Sequence, residues 1–251
     1  MDRVMPSVSI VIPAHNERPT IQQVVRSSAA ASPGAEVIVV DDGSTDETYE
    51  AAVGAGARVI RLDPNQGKGA ALRRGIQAAT GEILVFIDGD GQDSPFEIPL
   101  LVGAFEPDVD LVLGSRFLGN FRPGAISRMN LAGTRFITFL VNQMFGCRVT
   151  DPLAGFRAVR RSILERVELK AQGYDIEVDL LLRVLRAGGR VVEVPASRSP
   201  RPFGTSDLSS FTDGIRIARR ILQVRFEAIP DEQRPHEADA ETPPPSQNET
   251  T

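Results

Sequence analysis

Tryptophan is absent from this chain of 251 residues, and cysteine occurs once, at Cys147. A single cysteine cannot build a disulfide framework, and a reducing cytoplasm is the compartment that suits it. Lysine is nearly absent as well, with only Lys68 and Lys170. Basic charge is carried almost wholly by arginine, scattered along the chain. The formal net charge is −5, and the segment after Ile229 accounts for it, setting Asp231, Glu232, Glu237, Asp239, Glu241 and Glu249 against Arg234. The rest of the chain is close to neutral, which excludes the basic footprint of a nucleic-acid binder. No apolar run has the length of a bilayer span. The longest candidate, residues 131–145, contains Arg135, Asn142 and Gln143. As a helix it would measure about 22 Å against roughly 30 Å of hydrocarbon. The first residues, through Ser7, are short and polar and lack the pattern of a secretory leader.

What is present is the composition of a soluble globular protein, 41% hydrophobic and 24% charged. Short β-branched runs alternate with helical periodicity. VSIVI (8–12), ended by Pro13, reads as a buried strand, followed by a helix over 20–31, a strand at EVIVV (36–40) and a helix opening at Asp46 with Ser44 or Thr45 as cap. A strand over 58–62, a helix over 68–79 closed by Gly81, and a strand at EILVFI (82–87) complete the first half. The second half predicts a strand over 110–114, a loop over 119–130, helices over 131–145, 176–186 and 212–226, and strands at 158–159 and 190–194. Apolar strands alternating with helices predict an α/β fold, a mostly parallel sheet covered on both faces, as one domain over 1–229. The Pro-, Glu-, Gln-, Ser- and Thr-rich remainder, 230–251, has the composition of a disordered tail.

In such a sheet ligands bind beyond the carboxyl ends of the strands. Three of those ends carry polar clusters: Pro13, His15, Asn16 and Glu17; Asp41 to Asp46; and Asp88, Gly89, Asp90, Gly91, Gln92 and Asp93. Asp88 and Asp90, flanking one glycine after a buried strand, repel each other unless a cation lies between or beside them. Hard oxygen donors suit Mg²⁺ or Mn²⁺, and Gln92 adds a carbonyl oxygen without charge. Asp42 is placed to accept hydrogens of a ribose or base, with Pro13 and His15 as a flat wall. His15 reads equally as a solvated loop residue, and Glu17 as part of a helix-start capping arrangement. Lys68 lies between glycines at a helix start, near the donor, but the full G-x-x-x-x-G-K-[ST] phosphate loop is missing. The first strand is followed by PAHNE, without the G-x-G-x-x-G of a dinucleotide-binding fold, which argues against a dehydrogenase.

VIPAHNE, VVDDGSTD, NQGKGAAL and DGDGQDSP, in that order and spacing, resemble glycosyltransferase family 2 with the GT-A fold. The resemblance spans roughly residues 7 to 226. GSRF (114–117), TDPLAGFRAVRR (150–161), YDIEVDLLLR (174–183) and VVEVPASRSPRPFGTSDL (191–208) are similar to the dolichol-phosphate mannosyltransferases and their bacterial polyprenyl-phosphate relatives. The resemblance implies that Pro13, His15, Glu17 and Asp42 line the nucleotide, with Lys68 and Gly89 beside it. It implies that Asp88, Asp90 and Gln92 take the metal and diphosphate. Arg116 and Arg128 would face the acceptor phosphate or donor diphosphate, Asp151 would lie beside the sugar in a loop opened by Gly155, Glu177 would sit near the reacting centre, and Arg201 would close over the donor. The expected activity is inverting transfer of a hexose from a nucleotide sugar, of the GDP-mannose or UDP-glucose type, to polyprenyl phosphate at the cytoplasmic face of a membrane. A hydroxyl acceptor would instead need Asp151 or Glu177 as base. The last motif departs from its relatives: Arg201 is followed by Gly204, Thr205, Ser206 and then Asp207, where a lysine is usual. The helices at 131–145 and 212–226, the second rich in Arg, either pack on the body of the protein or lie in a lipid interface.

Overall fold

The computed structural model describes residues 6–119, 128–203 and 210–228. Asp207 and the 230–251 tail lie outside the described residues, as does the side chain of Arg128.

Seven strands form one sheet: β1 (Val8–Ala14), β2 (Glu36–Asp42), β3 (Arg58–Leu62), β4 (Ile83–Phe86), β5 (Val109–Ser115), β6 (Arg157–Arg160) and β7 (Arg190–Pro195). Their spatial order is β3-β2-β1-β4-β6-β5-β7. The chain winds outward from β1 through β2 to β3, then returns to place β4 on the other side of β1. The strand order therefore reverses between β1 and β4, where an α/β sheet opens its ligand crevice. The sheet is mostly parallel, as expected, with β6 the exception: it runs antiparallel to both β4 and β5.

The pleat sends alternate side chains to two cores. Val11, Ile38, Val40, Leu84, Phe86, Leu111 and Leu113 face α3 (Lys68–Ala78), α5 (Arg128–Phe145), α7 (Ile176–Arg186) and α8 (Ser210–Phe226). Ile10, Ile12, Val39, Ile83, Val85 and Val112 face α1 (Ile21–Ala31), α2 (Thr48–Gly54) and α4 (Ile98–Gly103). A short α6 (Arg161–Leu164) follows β6. Among the described residues no helix is long and apolar enough to cross a membrane.

Three local expectations are corrected. Pro13 does not end β1, which runs on to Ala14 with Pro13 in register with Val40. Val11 O accepts from Ile87 N on the β4 side, so the backbone nitrogen two residues later faces the same side, past the end of β4. A missing N–H costs no ladder bond there. The helix expected from Asp46 starts at Thr48, because its intended caps are engaged elsewhere. Ser44 Oγ accepts from Asn16 N at 2.9 Å, and Thr45 N donates to Asn16 Oδ1 at 2.9 Å. Gly81 does not close α3, which ends in an extended residue at Ala79; Gly81 instead lies against the backbone of Ser9, to whose Oγ its N–H donates at 2.8 Å.

Candidate active site

The turn after β4 carries Asp88 to Asp93 into the crevice beside the end of β1. Its acidic and amide side chains meet three basic residues. Asp88 Oδ1 lies 2.7 Å from Lys68 Nζ, Asp90 Oδ2 lies 3.1 Å from Arg201 Nη2, and Gln92 Oε1 accepts from Arg198 Nη2 at 2.8 Å. Arg198 also holds Asp93, at 2.8 Å and 3.0 Å to its two oxygens. Ser199 N donates to Gln92 O, and Gln92 Nε2 to Ser199 O. The segment after β7 is thus strapped across the turn, and it carries Arg201 to Asp90. Burial disfavours the Asp88 carboxylate, but Lys68, Arg198 and Arg201 outweigh it and hold its pKa below the usual carboxylate range. Burial keeps the Asp93 pKa raised despite Arg198.

Glu17 faces the same strap from the loop after β1, 3.2 Å from Arg201. Its burial, with Asp90 and Asp88 adding to it against the opposing Arg201, pushes its pKa up to about 7. Its role as a helix-start cap is limited: the first turn of α1 is held by the Glu17 carbonyl, which accepts from Thr20 N and Ile21 N.

The residues expected to line a nucleotide lie close together, with their polar atoms partly engaged. His15 Nδ1 lies 2.9 Å from Asp42 O, and Asn65 Nδ2 donates to that carbonyl at 3.0 Å. Pro13 is buried beneath them, and Gly89 lies beside Ala14 and Pro13. Asp42 does not present a free carboxylate. Its two oxygens accept from Gln66 N and Gly67 N, each at 2.8 Å, and so shape the turn that starts α3. Gly67 has φ of 91°, and a Cβ there would stand 2.6 Å from Gln172 O. This glycine serves a turn and a close packing contact. Lys68 then extends into the crevice, where it also meets Glu177 Oε1 at 2.6 Å. Burial disfavours its ammonium, but Asp88 and Glu177 overcome that and raise its pKa.

On the β5 side, Arg116 grips Asp151 with both arms of its guanidinium, Nε to Oδ2 at 2.6 Å and Nη2 to Oδ1 at 2.7 Å. Asp151 is wholly buried. Glu193 of β7 fixes its backbone by accepting from Thr150 N at 2.7 Å and Asp151 N at 3.0 Å. The loop then turns through Gly155, where a Cβ would lie 3.1 Å from Asp88 Oδ2. The loop itself is pinned by a residue that the sequence did not single out. Arg157, in β6, is fully buried and donates to the carbonyls of Pro152, Ala154 and Glu177. Desolvation brings its pKa down to about 10. Neither Arg157 nor Arg198 carried a sequence signal beyond an arginine within a motif of the second half.

Asp88, Asp90, Gln92, Lys68, Glu177, Glu17, Arg201 and Gly155 therefore come together at one edge. Arg116 and Asp151 form an adjacent buried pair, and Arg157 links their loop to α7. The donor chemistry fits a hard divalent cation. Two carboxylates and an amide oxygen share one turn, and among the described residues no group of three or more His, Cys, Asp or Glu closes a metal shell alone. Mg²⁺ and Mn²⁺ sites of that kind leave positions for phosphate oxygens and water.

Comparison with known proteins agrees with this architecture. The sequence pattern of Glycosyl transferase family 2 matches residues 9–168. A polyprenol monophosphomannose synthase of Mycolicibacterium smegmatis is 34% identical over 86% of this chain and 84% of its own length. An undecaprenyl-phosphate mannosyltransferase of Micrococcus luteus is 31% identical over 88% of this chain and 97% of its own. The crystal structure of glucosyl-3-phosphoglycerate synthase from Mycobacterium tuberculosis with Mn²⁺, uridine-diphosphate-glucose and phosphoglyceric acid superposes with a TM-score of 0.72 at 30% identity, covering 88% of this chain and 80% of that one. The winding of the sheet, the acidic turn at its switch point and these likenesses establish that the chain is a GT-A glycosyltransferase of glycosyl transferase family 2.

Proposed function

We propose that this enzyme transfers a hexose from a nucleoside-diphosphate sugar to a polyprenyl phosphate, with Mg²⁺ or Mn²⁺ held by Asp88, Asp90 and Gln92. A divalent cation there neutralises charge on the departing nucleoside diphosphate. The chain's own part is positioning. Pro13 and His15 flank the base. Arg201, at the mouth of the acidic turn, is within reach of a diphosphate bound there. Arg116 follows β5 and Arg128 opens α5, and in this reading both orient the incoming phosphate.

The observation that carries the acceptor class is the state of the two candidate bases. Asp151 is bonded through both oxygens to Arg116, and Glu177 is paired with Lys68. A general base must reach the hydroxyl whose proton it takes, and both carboxylates are already engaged by cations. A phosphate acceptor arrives already anionic near neutral pH and requires no base. The mannosyltransferase relatives favour the same class. The second reading is a small-molecule acceptor, and it is favoured by the superposition on an enzyme crystallised with phosphoglyceric acid.

A lipid acceptor implies contact with a membrane surface, and α5 and α8 supply a face for it. Phe136 and Phe139 on α5, and Ile215, Leu222 and Phe226 on α8, are more than half exposed. Arg135, Arg219 and Arg225 are exposed beside them. The inner faces of both helices, with Ile137, Val141, Ile217, Ile221 and Val224, pack into the core, so each helix divides between protein and surface. We propose on this basis that the enzyme works peripherally at a membrane surface.

The deciding experiment is a donor screen. Purified protein is incubated with Mn²⁺ or Mg²⁺, a panel of nucleotide sugars, and either a short polyprenyl phosphate or phosphoglycerate, with products read by mass spectrometry. A lipid-linked hexose that disappears in excess EDTA supports the proposal. A product on phosphoglycerate alone supports the second reading.

A further inference from the structure

Lys68 is the first residue of α3, and its ammonium is held in place from several sides. Asp42 fixes the turn before it, and Gly69 N donates to Gln172 O at 2.7 Å, seating the helix start on the 171–173 segment. Gly155 lies against the pair: a Cβ there would stand 3.1 Å from Asp88 Oδ2 and 3.4 Å from Lys68 Nζ. The ring of Tyr174 stands 5.7 Å away. So placed, Nζ is 2.7 Å from Asp88 and 2.6 Å from Glu177, and all three side chains are 20% exposed or less.

One positive charge therefore serves two carboxylates, of which only Asp88 lies on the acidic turn beside Asp90. A divalent cation at Asp88 competes with Lys68 for the same oxygens, and Glu177 draws that competitor away. We infer that Lys68 is a positioning residue shared between Asp88 and Glu177, and that Glu177 sets through it how readily Asp88 accepts a divalent cation. The inference rests on the reading above that Asp88 is a metal donor. It gives Glu177 a task in which it takes up no proton, and it gives Lys68 a task in which it touches no phosphate.

The test is a titration of the full chain with Mn²⁺ alone, free Mn²⁺ being read by electron paramagnetic resonance. Lys68→Met removes the competitor and raises Mn²⁺ affinity about tenfold. Glu177→Gln leaves the ammonium to Asp88 alone and lowers affinity, by about fivefold. Lys68→Arg restores affinity to near that of the unsubstituted protein. The opposite signs are the signature. A merely structural role would lower affinity in both variants. A direct contact between Lys68 and the donor would leave Mn²⁺ binding unchanged in Lys68→Met while weakening the binding of UDP or GDP. Either result overturns the inference. Should Lys68→Met fail to fold by circular dichroism, the Glu177→Gln titration decides alone, and unchanged or raised affinity overturns it. Asp90→Ala, titrated with Mn²⁺ plus UDP or GDP, separates the two levels. If it binds like the unsubstituted protein, the metal reading itself fails. If it loses binding while the Lys68 and Glu177 variants show no opposed shifts, only their coupling fails.

Discussion

Arg116 and Asp151 meet as two parallel forks, Nε to Oδ2 at 2.6 Å and Nη2 to Oδ1 at 2.7 Å, with a third bond from Arg116 N to Oδ2 at 3.1 Å. Both oxygens of a wholly buried carboxylate are thereby committed to one residue. The pair joins the end of β5 to the loop before β6, and Glu193 ties the same loop to β7. Asp151 thus holds Arg116, the arginine proposed to face the acceptor, in a fixed place.

Breaking that pair should be costly to the fold. Asp151→Asn leaves a guanidinium that is only 14% exposed without its counter-charge. The expected destabilisation is about 3 kcal/mol. Urea unfolding of the variant beside the unsubstituted protein measures it. A change below about 0.5 kcal/mol, the scale of an ordinary surface substitution, would mean that the pair is not formed in solution.

Glu17 gives stability a pH dependence whose sign can be worked out. Its carboxyl titrates near 4.5 when unfolded and is raised to about 7 in the folded protein, chiefly by burial. Below the lower value it is protonated in both states, and the native state keeps the full benefit of a neutral group. Between the two values the folded protein binds more protons than the unfolded, so this contribution falls as pH rises; above the upper value it stays constant. Glu17→Gln removes the titration. The stability of the unsubstituted protein minus that of the variant should therefore decline from pH 4.5 to 7 and then level off, measured by urea unfolding in EDTA. A difference independent of pH, or one that grows with pH, contradicts this account.

Much of this arrangement was legible in the sequence, for reasons that particular residues make clear. Runs such as EVIVV and EILVFI have no polar face to offer, so they had to be strands covered on both sides. DGDGQDSP directly after one of them could only lie at a carboxyl edge. What could not be read is which polar groups meet across the fold. Asp42 has the composition of a ribose ligand, and its carboxylate also accepts from two backbone N–H groups of the 65–67 turn, which the sequence did not announce. Ser44 and Thr45 have the composition of helix caps, yet they bind Asn16, 28 and 29 residues away. Arg157 opens a four-residue strand of which the sequence predicts only 158–159, and its burial depends on three carbonyls from two other segments. Short-range pattern reports which face is apolar. It does not report the long-range partner that satisfies a buried charge.

The outer face of α5 and α8 should bind anionic lipid. Over 130–148 the sequence has no acidic residue, and Asp213 of α8 is buried against Arg216. Exposed arginine beside exposed Phe and Leu favours an anionic interface. Sedimentation with phosphatidylglycerol vesicles should retain the protein, and Phe139→Ser combined with Phe226→Ser should release most of it. Raising the salt should weaken binding as well, since the arginine contribution is screened. Equal retention on purely zwitterionic vesicles, unaffected by the double substitution, would remove this face from consideration.

The acceptor class can be decided by the price of one proton. A phosphate acceptor arrives as an anion, so Glu177→Gln deletes no proton-accepting step. At saturating Mn²⁺, where the metal-affinity effect of Glu177 is suppressed, its rate with a short polyprenyl phosphate should fall less than about tenfold, well short of losing a true base, which costs roughly a hundredfold or more. Arg116→Lys keeps the charge but loses the fork, and with it a charge-assisted contact of about 1.5–3 kcal/mol. It should therefore cost about ten- to a hundredfold in rate and be the more damaged of the two. With a hydroxyl acceptor the order reverses, because a carboxylate must then take the proton. Both variants are assayed against the polyprenyl phosphate, the matching alcohol and phosphoglycerate, with Asp151→Asn included after its stability is known. Equal turnover of the alcohol, or a Glu177→Gln rate far below that of Arg116→Lys, would defeat the lipid-phosphate reading and leave the chain a family 2 glycosyltransferase whose acceptor is a hydroxyl.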